Sequence, residues 1–169
     1  MRIEVRVMTE ADWPTVAAIY KEGIETGHAT FETTVPTWER WDEAHVDSCR
    51  LVAELEDRVV GWAALSVVSD RCVYGGVGEV SVYVGSTGRG KGVGTLLLSA
   101  LIDASEKAGF WSLQAGMFPE NSGSIALHGK CGFQQVGRRE RIGKMDIGPM
   151  TGEWRDVLLL ERRSTTVGV

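Results

Sequence analysis

Two spacings of apolar residues alternate along the chain. Some stretches are rich in β-branched residues or place an apolar residue at every second position, which is typical of β-strands. Strands are predicted at residues 3–7, 50–55, 58–68, 79–84, 111–117, 133–142 and 154–161. Other stretches place apolar residues three or four positions apart, which is typical of helices with one buried face.

The helical stretches have residues at their ends that stop or cap helices. Thr9 or Asp12 caps the first helix and Thr37 opens the second. The third and fourth helices are predicted at residues 93–108 and 122–130. The element order is therefore β-α-α-β-β-β-α-β-α-β-β, and the fold class is mixed α/β with a mostly antiparallel first half.

Length and composition limit the number of domains. The chain has 169 residues, of which 43% are hydrophobic, enough for one full-sized core. A single domain is predicted over residues 1–163, and residues 164–169 are predicted to form a flexible tail. No stretch approaches the roughly 18 apolar residues that a membrane span requires, so a cytoplasmic protein without membrane contact is expected.

The most informative stretch is a glycine-rich turn between a strand and a helix. A β-branched run ends at Gly85, four more glycines follow with Arg89 and Lys91 among them, and the third helix begins directly afterwards. Backbone N–H groups converge at such a helix start, and the helix dipole favours negative charge there. The stretch predicts an anion site.

The glycine spacing separates three kinds of phosphate loop. The dinucleotide pattern G-x-G-x-x-G does not occur, because Val93 and Thr95 stand where its last glycine would be. The triphosphate pattern G-x-x-x-x-G-K-[ST] fails at Gly92, where a hydroxyl should hold magnesium. The pattern R-x-x-G-x-G fits at Arg89, Gly92 and Gly94.

Charge and cysteine content exclude some classes of function. The net charge of -5 argues against nucleic acid as a partner. The chain has 3 cysteines, an odd number at wide spacing, which favours reduced thiols over a disulfide framework or a metal site. No metal is therefore expected.

Four motifs together resemble one enzyme family, the GCN5-related N-acetyltransferases. In chain order they are Arg89-x-x-Gly92-x-Gly94, Asn121-x-x-Ser124, Leu127-His128 and Gly132-Phe133. The resemblance covers residues 3–162. Within the family the chain is similar to the phosphinothricin and methionine sulfoximine N-acetyltransferases, which the segments 79–84, 119–121 and 152–157 indicate.

The resemblance implies a fold, a reaction and a co-substrate. The expected sheet has about seven strands, lies between about four helices, and is splayed between its fourth and fifth strands. Acetyl-CoA would be the co-substrate, a small amine or amino acid the acceptor, and resistance to a herbicide or antibiotic the role. A homodimer is implied in the same way.

The cofactor residues follow from the motif positions. The backbone of the loop and helix start would bind the diphosphate of coenzyme A, and exposed backbone groups of the fourth strand would pair with the pantetheine arm. The expected cofactor residues are Val82, Tyr83, Val84, Arg89, Gly90, Lys91, Gly92, Val93, Gly94, Thr95, Asn121 and Ser124. The amide of Val82 is expected to polarise the thioester carbonyl, which would require a β-bulge in that strand.

Glu79 resembles the carboxylate that serves as general base in the phosphinothricin-type enzymes. An amine arrives mostly as ammonium at neutral pH, so a base must remove its proton. The catalytic residues are therefore predicted to be Glu79 and Val82. Either His128 or water would protonate the departing thiolate.

The walls of the substrate pocket should come from residues 31–32, from the loop at residues 71–74 and from the strand near residues 154–155. The expected substrate residues are Phe31, Glu32, Arg71, Tyr74, Glu79 and Ser81. Arg71 or Arg155 could bind an anionic group of a small amino acid bidentately. Another small amine or a polyamine remains an alternative acceptor, and a non-catalytic acyl-CoA sensor or a nucleotide-hydrolysing switch remains an alternative class.

Overall fold

A computed structural model describes residues 1–169 as one mixed α/β unit. The strands are β1 (Ile3–Val7), β2 (Arg50–Leu55), β3 (Arg58–Val67), β4 (Val77–Val84), β5 (Ser112–Met117), β6 (Gln134–Lys144) and β7 (Trp154–Arg163). The helices are α1 (Trp13–Thr26), α2 (Trp38–Ala44), α3 (Val93–Lys107) and α4 (Ser122–Lys130). Each predicted strand is confirmed to within two residues at both ends.

The strands form one 7-stranded sheet in the order β1-β2-β3-β4-β5-β7-β6. All neighbouring strands are antiparallel except β4 and β5, which are parallel. The parallel pair is short: its register runs only from Val77 opposite Ser112 to Glu79 opposite Gln114. Beyond Glu79 the two strands diverge, which confirms the predicted splay.

The sheet lies between two helical layers with separate apolar cores. One face packs against α3, whose Leu97, Leu98 and Leu101 are fully buried. The other face packs against α1 and α2 through a cluster that includes Val16, Trp41 and Trp62. Because strand residues alternate between faces, Val80 and Val82 contact the α3 side, while Tyr83 contacts the α1 side.

The start of α1 is held by a network of charged groups. The Asp12 carboxylate accepts hydrogen bonds from both Arg6 Nη atoms and from the Thr9 backbone N–H, each at 2.8 Å. Pro14 lies in the first turn, where its missing N–H costs no helical hydrogen bond. This network connects β1 to the helix that passes over the splay.

Two segments have more structure than their sequence pattern predicts. The loop between β3 and β4 contains a short 3-10 helix at Cys72–Tyr74. After β7, Ser164 is buried and Arg163 donates hydrogen bonds to the carbonyls of Val167 and Gly168. The domain end at residue 163 and the mobility of residues 164–169 in solution stay predictions.

No helix combines the length and the apolar content that a membrane span requires.

Candidate active site

The divergence of β4 and β5 opens a cleft of about 600 Å³ that is lined from both faces of the sheet. On the α3 side its walls are the glycine-rich loop and the starts of α3 and α4. On the α1 side its wall is the second half of α1 and the residues that follow. A long ligand can therefore enter on one face and meet a second ligand that enters on the other.

Backbone groups of β4 face this cleft in an alternating pattern. Val68 N–H donates to Val77 O at 3.4 Å, and Gly85 N–H donates to Val60 O at 2.8 Å. Val68 opposite Val77 and Val60 opposite Gly85 are therefore hydrogen-bonded positions of the antiparallel ladder between β3 and β4. Hydrogen-bonded pairs alternate along such a ladder. The backbone of Tyr83 therefore pairs with β3, and the N–H and C=O groups of Val82 and Val84 point towards the splay.

The β-bulge that was expected in β4 is absent. The register between β3 and β4 runs one to one from Gly61 opposite Val84 to Val67 opposite Gly78. A bulge is unnecessary, because β5 leaves β4 after Glu79 and so leaves the outward-facing groups of Val82 and Val84 without a strand partner. The expectation of a bulge was wrong for this reason.

The glycine-rich loop has the geometry of an anion site. Gly90 and Gly92 have φ of 73° and 80°, and a Cβ at either position would meet nothing within 4 Å. The first intrahelical bond runs from Leu96 N to Gly92 O, which leaves the preceding N–H groups of α3 free at its positive end. A diphosphate could approach this backbone closely, so these residues fit that part of coenzyme A.

The predicted cofactor residues of the loop are only partly brought together. Arg89, Gly90, Gly92, Val93 and Gly94 line the cleft, together with Gly88. Lys91 and Thr95 do not line it. The Lys91 ammonium instead donates to Thr87 O at 2.9 Å, and Arg89 Nε donates to Val84 O at 3.2 Å.

Asn121 and Ser124 both lie in the cleft wall, where Asn121 also caps α4. Its side-chain oxygen accepts from Ser124 N at 3.1 Å, and its Nδ2 donates to His28 O at 3.3 Å. Asn121 thus connects the α4 wall to the α1 wall.

His128 lies buried in the cleft wall, in edge-to-face contact with Phe133. Its Nδ1 lies 2.7 Å from Ser124 O, and because a carbonyl can only accept, Nδ1 carries the proton. Burial lowers the pKa of His128 below its usual range, against a smaller opposing effect of this hydrogen bond. The neutral ring has no Nε2 proton to give, which favours water over His128 as the acid for the thiolate.

Glu79 lies beside the cleft and does not line it. Its carboxylate accepts a hydrogen bond from Gln114 Nε2 at 3.2 Å, at the last paired position of β4 and β5. Ser81 lies two residues further along β4 on the same face, about 7 Å away, and lines the cleft. A proton would have to reach Glu79 through water.

Phe31 and Glu32, two of the remaining predicted substrate residues, follow α1 in the chain and have different neighbours. Phe31 packs edge-to-face on Phe118 with ring centroids 4.9 Å apart. Burial raises the pKa of Tyr20 to about 12, and the charge of Glu32 adds to this effect, which indicates that Glu32 lies near Tyr20 of α1. Neither Phe31 nor Glu32 lines the cleft.

Two predicted anion-binding arginines are not available in the cleft. Arg71 stacks over Tyr74 at 5.4 Å on the exposed loop before β4, and neither residue lines the cleft. Arg155 is 1% exposed, so it lies behind the cleft wall. The expectation that Arg155 meets the substrate directly was wrong, because its side chain is buried and its Nη atoms bind protein groups, while its Nε is buried without a partner.

A comparison with known proteins decides the family. A sequence model of the acetyltransferase (GNAT) family matches residues 13–133. The chain belongs to this family. The predictions of an acetyltransferase enzyme and of its fold class are confirmed.

Curated acetyltransferases resemble the chain over most of its length. The phosphinothricin N-acetyltransferase of Alcaligenes faecalis is 34% identical over 164 residues, which cover 94% of this chain and 81% of the relative. The L-methionine sulfoximine/L-methionine sulfone acetyltransferase of Pseudomonas paraeruginosa is 29% identical over 95% of this chain and 94% of the relative.

A solved structure gives the same result for the fold. The GNAT superfamily phosphinothricin acetyltransferase of Sinorhizobium meliloti, crystallised in complex with acetyl-CoA, matches with a TM-score of 0.87 and 29% identity. The match covers 99% of this chain and 91% of that chain.

Several residues of the acetyltransferase cleft were missed in the sequence. They share a position near the gap between α1 and the end of β5, and they are Thr26, His28, Ala29, Gly116, Met117 and Glu120. No motif marks them, because the contacts between the segment after α1 and the segment after β5 depend on the tertiary packing of distant parts of the chain. The one available signal was Gly23, since a glycine inside a helical pattern indicates close approach of another element.

Proposed function

We propose that this acetyltransferase transfers the acetyl group of acetyl-CoA to the α-amine of a compact amino acid such as phosphinothricin or methionine sulfoximine. The observation that carries the proposal is the cleft itself, which runs from an anion site at the start of α3 to the space under α1. The names of the curated relatives support the same substrate class.

Backbone groups would do most of the cofactor binding. The free N–H groups at the start of α3 would hold the diphosphate, and the outward groups of Val82 and Val84 would pair with the pantetheine amides as a strand would. The co-substrate supplies an acetyl thioester. The Val82 N–H would donate to its carbonyl oxygen and stabilise negative charge that develops there.

Glu79 would act on the amine as general base. It accepts a proton from the ammonium group through water, the amine nitrogen forms a bond to the acetyl carbon, and the carbon–sulfur bond breaks. As the tetrahedral intermediate collapses, the nitrogen loses its second proton, which would reach the departing thiolate through water, because His128 is neutral with its single proton held by Ser124 O. Of the two protons that the ammonium group loses, one is then on Glu79 and the other on the thiol of coenzyme A.

A small cationic amine is a second candidate acceptor, and one observation favours it. Arg155 is buried with its Nη atoms bound to protein groups, and Arg71 lies on the exposed loop before β4. The pocket under α1 therefore has carboxylates nearby, from Glu32 and Glu120, and lacks an unpaired arginine in its wall.

An acetylation screen tests the proposal. Release of free thiol from acetyl-CoA would be measured with phosphinothricin, methionine sulfoximine, methionine sulfone, spermidine and a lysine peptide. We expect the amino-acid analogues to give the highest kcat/KM. A higher value for spermidine or the peptide would favour the cationic-amine candidate, and binding of acetyl-CoA without turnover of any amine would favour a sensor.

Three further properties are proposed, two from the family resemblance and one, the location, from the sequence pattern. They are a homodimer, a cytoplasmic location and a role in resistance to a toxic amino-acid analogue. Sedimentation of the purified protein tests the first. Growth of a host that expresses the protein, in the presence of phosphinothricin or methionine sulfoximine, tests the third.

A further inference from the structure

Arg155 joins the two walls of the cleft on the side where the amine would enter. From β7 its Nη1 donates to Gly27 O at 2.7 Å, at the end of α1. Its Nη2 lies 3.2 Å from His28 Nδ1 and 3.4 Å from Glu120 Oε2. The guanidinium also stacks over Phe118 at 3.8 Å from the ring centroid.

This contact determines the tautomer of His28. A guanidinium has only N–H donors, so the Nδ1 atom that faces it must accept and carries no proton. The proton of the neutral ring is then on Nε2. The structure thereby makes Nε2 of His28 a hydrogen-bond donor.

The other histidines of the chain have the opposite arrangement. The chain has 3 histidines. Nδ1 of His45 lies 2.6 Å from Trp41 O, and Nδ1 of His128 lies 2.7 Å from Ser124 O. Both bonds require a proton on Nδ1, because a carbonyl oxygen can only accept. His28 alone presents an Nε2 proton.

The Nε2 atom of His28 is free to meet a ligand. It has no hydrogen-bond partner in the protein, and it is not among the buried polar atoms without a partner. His28 lines the cleft beside Thr26, Ala29 and Glu120. Since Nδ1 points to the buried Arg155, the opposite edge of the ring points away from it.

We propose that His28 is a specificity-determining residue, which donates its Nε2 hydrogen bond to an oxygen on the side chain of the amino-acid substrate. Arg155 is the positioning residue that holds the tautomer. The inference rests on the proposed function, since it names the part of that substrate which the pocket recognises. Sulfone, sulfoximine and phosphinate oxygens are all suitable acceptors.

The charges around the pocket explain why a neutral donor is needed. The positive charge of Arg155 is offset by Glu120, and the Arg155 side chain is only 1% exposed, so its remaining N–H groups, among them the buried Nε without a partner, do not reach the substrate. His28 lies between this arginine and the cleft, accepts a hydrogen bond on Nδ1 and can donate one from Nε2, and its ring carries no net charge. Sites of this kind discriminate strongly against analogues that lack the matching oxygen.

The first test measures the tautomer directly and needs no substrate. Long-range proton–nitrogen NMR of protein with nitrogen-15 histidine should show one ring protonated on Nε2 and two protonated on Nδ1. In Arg155→Met the constraint on Nδ1 is removed, so the His28 tautomer with the proton on Nδ1 should become populated beside the Nε2 tautomer. A His28 signal with the proton on Nδ1 in the unaltered protein would overturn the inference, whatever the enzyme acetylates.

The second test compares methionine sulfone with methionine, which differ only in the sulfone oxygens. The ratio of their kcat/KM values should fall about tenfold or more in His28→Ala and recover in part in His28→Gln, whose amide retains a donor. The Kd for acetyl-CoA should stay constant. An unchanged ratio in His28→Ala would overturn the inference, while failure of both substrates in the unaltered enzyme would count against the proposed function instead.

Discussion

Gly23 of α1 lies directly on the ring of Tyr83 in β4. A Cβ at Gly23 would be 2.7 Å from Tyr83 Cε1 and 2.8 Å from Cδ1, closer than real Cβ contacts occur. Tyr83 cannot move aside, because it stacks on Tyr20 at 4.9 Å and on Trp62 at 4.8 Å between ring centroids. The missing side chain at Gly23 therefore sets the distance between α1 and the floor of the cleft.

Gly23→Ala should push α1 away from β4 and impair both stability and activity. Overpacking of this kind typically costs about 1–3 kcal/mol. Gly129→Ala is the matched control, since Gly129 lies in α4 and a Cβ there meets nothing within 4 Å. Gly129→Ala should stabilise slightly, by about 0.5–1 kcal/mol, through helix propensity. Urea unfolding gives both values, and equal effects of the two changes would refute the packing argument.

Gly92→Asp should weaken acetyl-CoA binding, because a carboxylate would stand at the proposed diphosphate site at the start of α3. Loss of charge-assisted hydrogen bonds and added repulsion should cost several kcal/mol, on the order of 2–4. Gly109→Asp is the control: Gly109 has φ of 90° at the other end of α3 and equally open space, so it carries the same backbone strain. Calorimetry should show weak binding for Gly92→Asp alone. Normal affinity in a folded Gly92→Asp protein would remove the loop from the cofactor site.

The order of elements was predictable because it depends on local patterns. Strand alternation, the caps Thr37 and Asn121, and glycines after helices all act within a few residues. The glycine-rich loop was predictable for the same reason. Gly90 and Gly92 have positive φ and open space around them, and they lie in a strand–loop–helix unit whose parts are contiguous in the sequence.

The substrate side was not predictable from the sequence, because it depends on contacts between distant segments. Arg155 and Arg71 have the same chemistry, but one is enclosed by Gly27, His28 and Phe118 and the other is exposed beside Tyr74. His28 has no motif, and its proton position follows from a residue 127 positions away in sequence. No spacing rule connects such pairs.

The acid stability of the protein should depend on Asp12. Hydrogen bonds from Arg6, supported by Thr9, lower the pKa of Asp12 to about 2 from its ordinary 3.8. A carboxyl with a lowered folded-state pKa stabilises the fold above its unfolded pKa, and this contribution is lost as pH falls from about 4 to 2.

Asp12→Asn should therefore reduce the free energy of unfolding by about 1–2 kcal/mol at neutral pH. The difference from the unaltered protein should shrink between pH 4 and pH 2. Asp103→Asn, which alters an exposed carboxylate on α3, should show neither effect. Denaturant titrations across this pH range check the expectation, and a constant difference between the proteins would mean that Asp12 acts through shape and not through charge.

Glu79→Gln should retain acetyl-CoA binding and lose turnover. The amide keeps the size of the carboxylate and can still accept from Gln114 Nε2, but it cannot take a proton from the ammonium group at neutral pH. General bases typically contribute about 10²- to 10⁴-fold, so kcat/KM should fall within that range at pH 7. Glu161→Gln, on the exposed side of β7, is the control and should have normal activity.

The pH profile of Glu79→Gln distinguishes a general base from a carboxylate that acts only through its negative charge. As pH approaches the pKa of the amine, the neutral nucleophile becomes abundant and the deficit of the variant should shrink. A deficit that stays constant with pH would indicate that Glu79 attracts the ammonium group without accepting its proton. Near-normal kcat/KM at pH 7 would exclude Glu79 as the base, and the contribution of β4 would then come from the backbone groups of Val82 and Val84.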